Sequence, residues 1–236
     1  MYYVMSDLHG CYKEYRKALE MIHFNAQDTL YVLGDVVDRG PEPVKILQDM
    51  MLRPNVIPII GNHEYMALTV LKKLCVEITE ETAENYLSEE DMMNYLNWCM
   101  DGGQTTIRQF QKLSADERMD IIDYLEEFSL YEEVSANQKD YILVHAGLEP
   151  FAPEKPLENY ALSEVIFKSP DYEKEYFDDR YLVTGHRPTL QLKGEQRGRI
   201  LEKNHHVAID CGCVYGGWLG VYCLDNGQSW YIKSEL

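Results

Sequence analysis

The chain has 236 residues, with 40 Asp plus Glu against 22 Lys plus Arg, giving a formal net charge of −18. That length suits one domain with an ample core, and 45% apolar against 26% charged residues excludes wholesale disorder. The acidic excess repels nucleic-acid polymers and anionic membranes, so a general surface for either is excluded. The opening MYYVMSDLHG has no basic leader pattern, and no apolar run approaches a membrane span, so a cytoplasmic protein is expected. Oligomeric state is left open. Six cysteines are too sparse for a disulfide scaffold, and Cys211-Gly-Cys213 lacks a second pair for a tetrahedral zinc site. Small buried thiols in a reducing compartment are expected.

In chain order, Tyr2 to Met5 reads as a buried strand, and Tyr12 to Ile22 as a helix. A strand follows at Thr29 to Leu33, a helix at Pro43 to Leu52 and a strand at Asn55 to Ile60. Strand and helix alternate with short links, which implies βαβ units and a parallel sheet. From Glu64 to about Phe128 the pattern is helical. Ser88-x-x-Asp91 and Ser114-x-x-Glu117 read as capping boxes, the second opening a helix through Met119, Ile122 and Leu125. Between Leu74 and Ile107 stand eight acidic residues and no Lys or Arg, the composition of a solvated helical face. Strands return at 141–144, 181–184, 199–203, 207–210, 218–224 and 229–232, the last two joined by the hairpin signal Asp225-Asn226-Gly227. His205 and His206 read as polar surface. No repeat or linker divides the chain, so residues 1–236 are expected to form one domain, with a helical insertion at about 74–128.

Chemistry-bearing residues stand where the apolar strands stop. They are Ser6-Asp7-Leu8-His9-Gly10, Gly34-Asp35-Val36-Val37-Asp38-Arg39-Gly40, Gly61-Asn62-His63-Glu64, His145-Ala146-Gly147 and Gly185-His186-Arg187. In open α/β sheets the carboxyl ends of strands face one crevice, so five separated segments aim Asp, His, Asn and Arg at one place. Carboxylate, imidazole and amide donors without thiolate suit manganese, iron or zinc. Asp7, His9, Asp35, Asn62, His145 and His186 are too many for one four-coordinate ion, and two divalent ions sharing a carboxylate would use them. Paired ions of that kind clamp phosphate oxygens during in-line displacement. Glu64 reads as structural, since helix N-termini favour acidic residues.

SDLHG, GDVVDRG, GNHE, HAG and GH, in this order, resemble the signature of the phosphoprotein phosphatases within the calcineurin-like metallophosphoesterases. Trp98…Asp101-Gly102-Gly103 and the compact length resemble the bacterial and phage-type members, whose relatives include diadenosine tetraphosphate hydrolases. The resemblance implies an α/β fold, a two-sheet β-sandwich flanked by helices in α-β-β-α layers. It implies that Asp7 and His9 bind a first metal, that Asp35 bridges, and that Asn62, His145 and His186 hold a second, manganese being the leading candidate. It further implies His63 as general acid oriented by Asp38, with Arg39 gripping the phosphate and a metal-activated hydroxide attacking phosphorus. A second phosphate contact is expected from Lys168, where relatives place Arg, or from Arg180. Tyr215, in a late loop Asp210-Cys211-Gly212…Tyr215-Gly216-Gly217, is a candidate substrate contact.

The leading expectation is a serine/threonine protein phosphatase acting on phosphorylated protein. The alternative is a dinucleoside polyphosphate hydrolase acting on a small phosphate ester or anhydride, and a catalytically silent adaptor is the remote third reading. From Arg180 to Lys203 there are six basic and two acidic residues, which predicts a cationic mouth on an otherwise acidic chain.

Overall fold

The computed structural model describes residues 1–75, 88–194 and 196–236; Glu77 to Glu84 of the acidic run, and Glu195, lie outside the described residues. Strands β1 (Tyr2–Met5), β2 (Thr29–Leu33) and β3 (Val56–Ile59) pair in parallel, with Met5 opposite Val32 and Leu33 opposite Ile59. Helices α1 (Tyr12–Met21) and α2 (Pro43–Met51) make the crossovers, α2 starting at a proline whose missing N–H costs nothing in a first turn. β9 (Trp218–Cys223) and β10 (Ser229–Lys233) join antiparallel through the expected hairpin, giving the order β10-β9-β1-β2-β3.

A second five-stranded sheet has the order β4-β5-β6-β8-β7. It contains β4 (Tyr131–Ala136), β5 (Lys139–Val144), β6 (Tyr181–Thr184), β7 (Leu201–Lys203) and β8 (His206–Ala208). Side chains alternate across a strand, and both faces of each sheet are covered. In β1, β2 and β5 one set (Val4, Tyr31, Leu33, Tyr141, Leu143) packs into the core between the sheets. The other set (Tyr3, Met5, Leu30, Val32, Ile142, Val144) packs outward against helices and connecting segments. This two-sided burial produces the α-β-β-α sandwich that the resemblance implies and explains the nearly continuous apolar strands.

Between β3 and β4 run α3 (Asn62–Leu74), α4 (Glu89–Trp98), α5 (Gln104–Phe110) and α6 (Ala115–Glu126). Both capping boxes form: the Ser88 hydroxyl accepts from Asp91 N at 3.1 Å and the Ser114 hydroxyl from Glu117 N at 3.3 Å. In α6 the buried stripe is Ile121, Ile122 and Leu125, and Met119 faces solvent. A short α7 (Leu162–Ile166) follows β5. No helix among the described residues is long and apolar enough to cross a membrane.

Strand β4 was not expected. It is an edge strand whose outer positions are polar, and it turns into β5 through Asn137 and Gln138, both left-handed, where Asn-Gly is the usual signal. Strands β7 and β8 are shorter than the expected 199–203 and 207–210, each losing residues at the end away from the tight left-handed turn at Asn204 and His205 that joins them. Four cysteines (Cys11, Cys211, Cys213 and Cys223) are buried and Cys75 and Cys99 are half-buried, all of them free thiols.

His206 is not surface. It is 2% exposed, its Nε2 pairs with the Thr184 hydroxyl at 2.8 Å, and its ring packs on Tyr172 and Tyr176. Burial pushes this imidazole down from 6.5 to about 4. Between those values the unfolded chain binds a proton that the folded chain refuses, so stability falls as pH drops from about 6.5 to 4, by roughly 3 kcal/mol. Urea unfolding of wild type and His206→Gln across this window should show a shallower acid loss in the variant. Equal slopes would clear His206 of that role.

Candidate metal centre

The loops leaving β1 and β2 stay laced together after the strands end. Asp7 N donates to Gly34 O at 3.0 Å, His9 N to Asp35 O at 2.8 Å and Gly10 N to Val36 O at 2.9 Å. The loop after β5 is tied to the one after β6 by Gly185 N donating to His145 O at 2.8 Å. Glu64, fully buried in the first turn of α3, binds across two loops. Its Oε2 accepts from Asp35 N (2.7 Å) and Gly61 N (2.9 Å), and its Oε1 from Val36 N (2.8 Å) and Val37 N (3.1 Å). Asp7, His9, Asp35, Asp38, Arg39 and His186 all have positive φ, a conformation that costs an L-residue about 1–2 kcal/mol.

The donors converge. His9 Nδ1 lies 2.9 Å from Val37 O, so Nδ1 carries the proton and the Nε2 lone pair faces inward, 3.6 Å from Asp35 Oδ2. His145 repeats this arrangement: Nδ1 bonds Leu33 O at 2.7 Å, leaving Nε2 3.4 Å from Asp35 Oδ1 and 3.0 Å from Asn62 Oδ1. His186 Nδ1 lies 3.0 Å from Asn62 Oδ1 and 3.2 Å from His145 Nε2, with the Phe167 backbone near its ring. Asp7 accepts from His186 N at 2.9 Å.

Two donor groups span less than 4.8 Å each, His9–Asp35–His63 and Asp35–His145–His186, and Asp35 belongs to both. Burial holds His9 and His145 neutral and pushes His186 down to about 4. Burial raises the Asp7 and Asp35 carboxyls, and neighbouring carboxylates raise them further: Asp210 beside Asp7, and Asp7 and Glu64 beside Asp35. Lone pairs facing lone pairs beside buried carboxylates repel one another, and cations between them relieve that repulsion. The residues fit divalent metal ions, and imidazoles fixed by carbonyls are the usual support for metal-binding histidines.

Beside this cluster His63 Nδ1 bonds Asp38 Oδ2 at 2.6 Å. Its other nitrogen, Nε2, is buried without a hydrogen-bond partner, 4.0 Å from Asp35 Oδ2 and 3.5 Å from Asp101 Oδ2. Asp38, 0% exposed, also accepts from Trp98 Nε1 at 2.7 Å and from the Thr106 hydroxyl at 2.6 Å. Arg39 Nη1 stands 2.6 Å from His9 Nε2, Nη2 donates to Asp101 at 2.7 Å, and its guanidinium lies 5.6 Å from the Tyr215 ring centre. Tyr215 is thus brought to the cluster, and Lys168 is an exposed residue directly after Phe167, whose backbone lies near the His186 ring.

Arg180 is not brought to the cluster. It precedes β6 while His186 follows it, so an extended strand of about 13 Å separates the two, and Arg180 pairs with Asp179 and Glu133. The predicted cationic mouth divides accordingly. Lys193 and Arg197 line a groove of about 710 Å³ with Tyr215, whereas Arg199 stacks on Trp218 and Tyr231 and Lys203 pairs with Glu173. Trp98, Asp101, Thr106 and Asp210 gained no role from sequence reasoning. Trp98…Asp101-Gly102-Gly103 was the available signal for the first two; Gly103 is where a Cβ would lie 2.6 Å from the Trp98 ring.

Residues 2–216 match the calcineurin-like phosphoesterases. The chain belongs to this family. It is 28% identical over 205 residues to the symmetrical bis(5'-nucleosyl)-tetraphosphatase of Nitrosospira multiformis, covering 84% of this chain and 62% of that one. It is 27% identical over 176 residues to the same-named protein of Wigglesworthia glossinidia brevipalpis, covering 73% of this chain and 54% of that one. The chain therefore spans little more than half the length of these curated relatives. A crystal structure of a candidate diadenosine tetraphosphatase shares the fold, with a TM-score of 0.69 at 18% identity over 99% of this chain and 93% of that one.

Glu64→Gln replaces two acceptor sites with donors that face backbone N–H groups. With unmet buried groups costing about 1–3 kcal/mol each, a loss of roughly 3 kcal/mol or more in urea unfolding is expected, together with weaker metal uptake. A variant as stable as wild type would show that the four contacts contribute little.

Proposed function

We propose that this calcineurin-like phosphoesterase hydrolyses bis(5'-nucleosyl) tetraphosphates at the central phosphoanhydride. The observation that carries phosphoryl transfer is Asp35 shared between two donor groups, with an unpartnered His63 nitrogen beside them. The narrowing to a dinucleoside tetraphosphate, ahead of the expected phosphoprotein, is supported by the names of the relatives. Divalent cations held by Asp7, His9, Asp35, Asn62, His145 and His186 would supply Lewis acidity, activating water and offsetting charge on the phosphoryl oxygens. We propose manganese as their identity, with iron or zinc compatible with the same donors.

The chain's own groups do the rest. Asp38 accepts the Nδ1–H of His63 and fixes the ring's orientation, so the imidazolium form presents its Nε2–H to the departing oxygen and is left as the Nδ1–H imidazole after transfer. Trp98 and Thr106 hold Asp38 in turn, so the dyad has one orientation. Arg39 and Lys168 bind phosphoryl oxygens, Arg39 as a planar fork and Lys168 as a point charge, with Tyr215 beneath the Arg39 guanidinium. Water adds across the central P–O–P bridge, and two nucleoside 5'-diphosphates leave.

One observation favours the second reading, a phosphoserine and phosphothreonine phosphatase. A buried, doubly oriented acid suits a poor alkoxide leaving group better than a diphosphate, which departs without full protonation. Side-by-side turnover of diadenosine tetraphosphate and a phosphopeptide by the manganese-loaded protein tests the pair. ADP release at higher kcat/KM supports the first reading, and a strong preference for the peptide overturns it. His63→Asn should lower turnover of an alkyl phosphoester by about 10² or more, and that of the tetraphosphate by less. Undiminished turnover of both would remove His63 from proton delivery.

A further inference from the structure

Next to the metal cluster lies a cavity of about 260 Å³ that the phosphoryl chemistry does not use, lined by Tyr65, Met66, Thr69, Glu90, Asn94, Asn97 and Phe167. Three of its walls are one or two residues from the site. Tyr65 follows His63-Glu64 on α3, Asn97 precedes Trp98 on α4, and the Phe167 backbone lies near the His186 ring. Tyr65 and Phe167 are large aromatic residues left 40% and 42% exposed, and their rings meet edge to face at 6.1 Å. Glu90, Asn94 and Asn97 are spaced i, i+4, i+7, one face of α4, so two amides and a carboxylate line the wall of the cavity.

We propose that this cavity is a nucleobase subsite, in which a purine ring of the nucleotide packs on Phe167 and Tyr65 while Asn94, Asn97 and Glu90 meet its edge. This rests on the dinucleoside tetraphosphate reading and assigns a place to one of the two nucleosides. The chemistry is specific in three respects. Exposed aromatic faces stack on bases whatever their sequence. Side-chain amides carry the donor–acceptor pair that matches a purine edge, and a carboxylate accepts from an exocyclic amine. The same carboxylate disfavours phosphate here and leaves the phosphates to Lys168, next to Phe167, and to Arg39. The volume admits a base but falls below the roughly 300–1,000 Å³ of sites that enclose drug-sized ligands, so the second nucleoside lies elsewhere.

The test compares wild type, Phe167→Leu, Asn97→Leu and the double variant Tyr65→Leu/Phe167→Leu, each loaded with manganese. Leucine keeps apolar bulk and removes the π face, and unfolding midpoints verify that each variant is folded. The readout is kcat/KM for diadenosine tetraphosphate divided by that for inorganic tripolyphosphate, with ADP binding to the metal-free proteins by calorimetry as a second measurement. The proposal expects the ratio to fall about tenfold or more in Phe167→Leu and further in the double variant, through KM, with weaker ADP binding. If wild type cleaves the tetraphosphate and the variants keep both the ratio and ADP affinity, the subsite is wrong while the function stands. If wild type does not cleave the tetraphosphate, both fall. Selective loss of turnover on a phosphopeptide would assign the cavity to an aromatic side chain and overturn the nucleobase proposal.

Discussion

One carboxylate holds the site together. The chain leaving β2 and the chain entering α3 both turn sharply inside the protein, and each turn leaves backbone N–H groups with no strand or helix partner. Buried donors of that kind must be satisfied. Glu64 satisfies four of them, at Asp35, Val36, Val37 and Gly61, using the lone-pair capacity that only an ionised carboxylate offers. Because Glu64 sits in the first turn of α3, the same contacts fix the helix that presents Asn62 and His63. The distance between Asp35 and His63, on which the His9–Asp35–His63 group depends, is therefore set by a residue that belongs to neither donor group.

That clamp also explains how strained backbone survives. Six site residues occupy the left-handed region, at a combined cost comparable with the whole stability of an ordinary domain. Each strained residue is flanked by short backbone bonds between loops, and Gly61, where a Cβ would lie 2.3 Å from Asp35 Oδ1, permits the close approach. Strain concentrates where side chains must point inward from turns. The two sheets, packed on both faces, are the rigid base that allows it.

The sequence carried the first layer of this arrangement clearly. Parallel βαβ order, apolar strands ending in Asp, His and Asn, and the hairpin at Asp225-Asn226-Gly227 are all local patterns that tertiary contacts reinforce. The second layer was less legible because it depends on contacts across long separations. Trp98 and Thr106 reach Asp38 over 60 and 68 residues, and no spacing rule connects them. Glu64 read as an ordinary first-turn acid, since helix-terminal charge and a loop clamp have the same sequence signature. Arg180 and His206 failed for a related reason. Composition near a motif says nothing about which end of a strand a residue occupies, or which face is dry.

The helical segment between β3 and β4 ties the His63–Asp38 pair to the aromatic cavity. Its α4 carries Asn97 and Trp98 as neighbours: Trp98 turns inward to hold Asp38, and Asn97 lines the aromatic cavity. Adjacent residues on a helix point about 100° apart, so one helix can address two sites only by standing between them. The insertion thus cannot shift to admit a different leaving group without also moving the partner that orients His63. In this chain the orientation of the His63–Asp38 pair and the pocket beside it are set by the same helix.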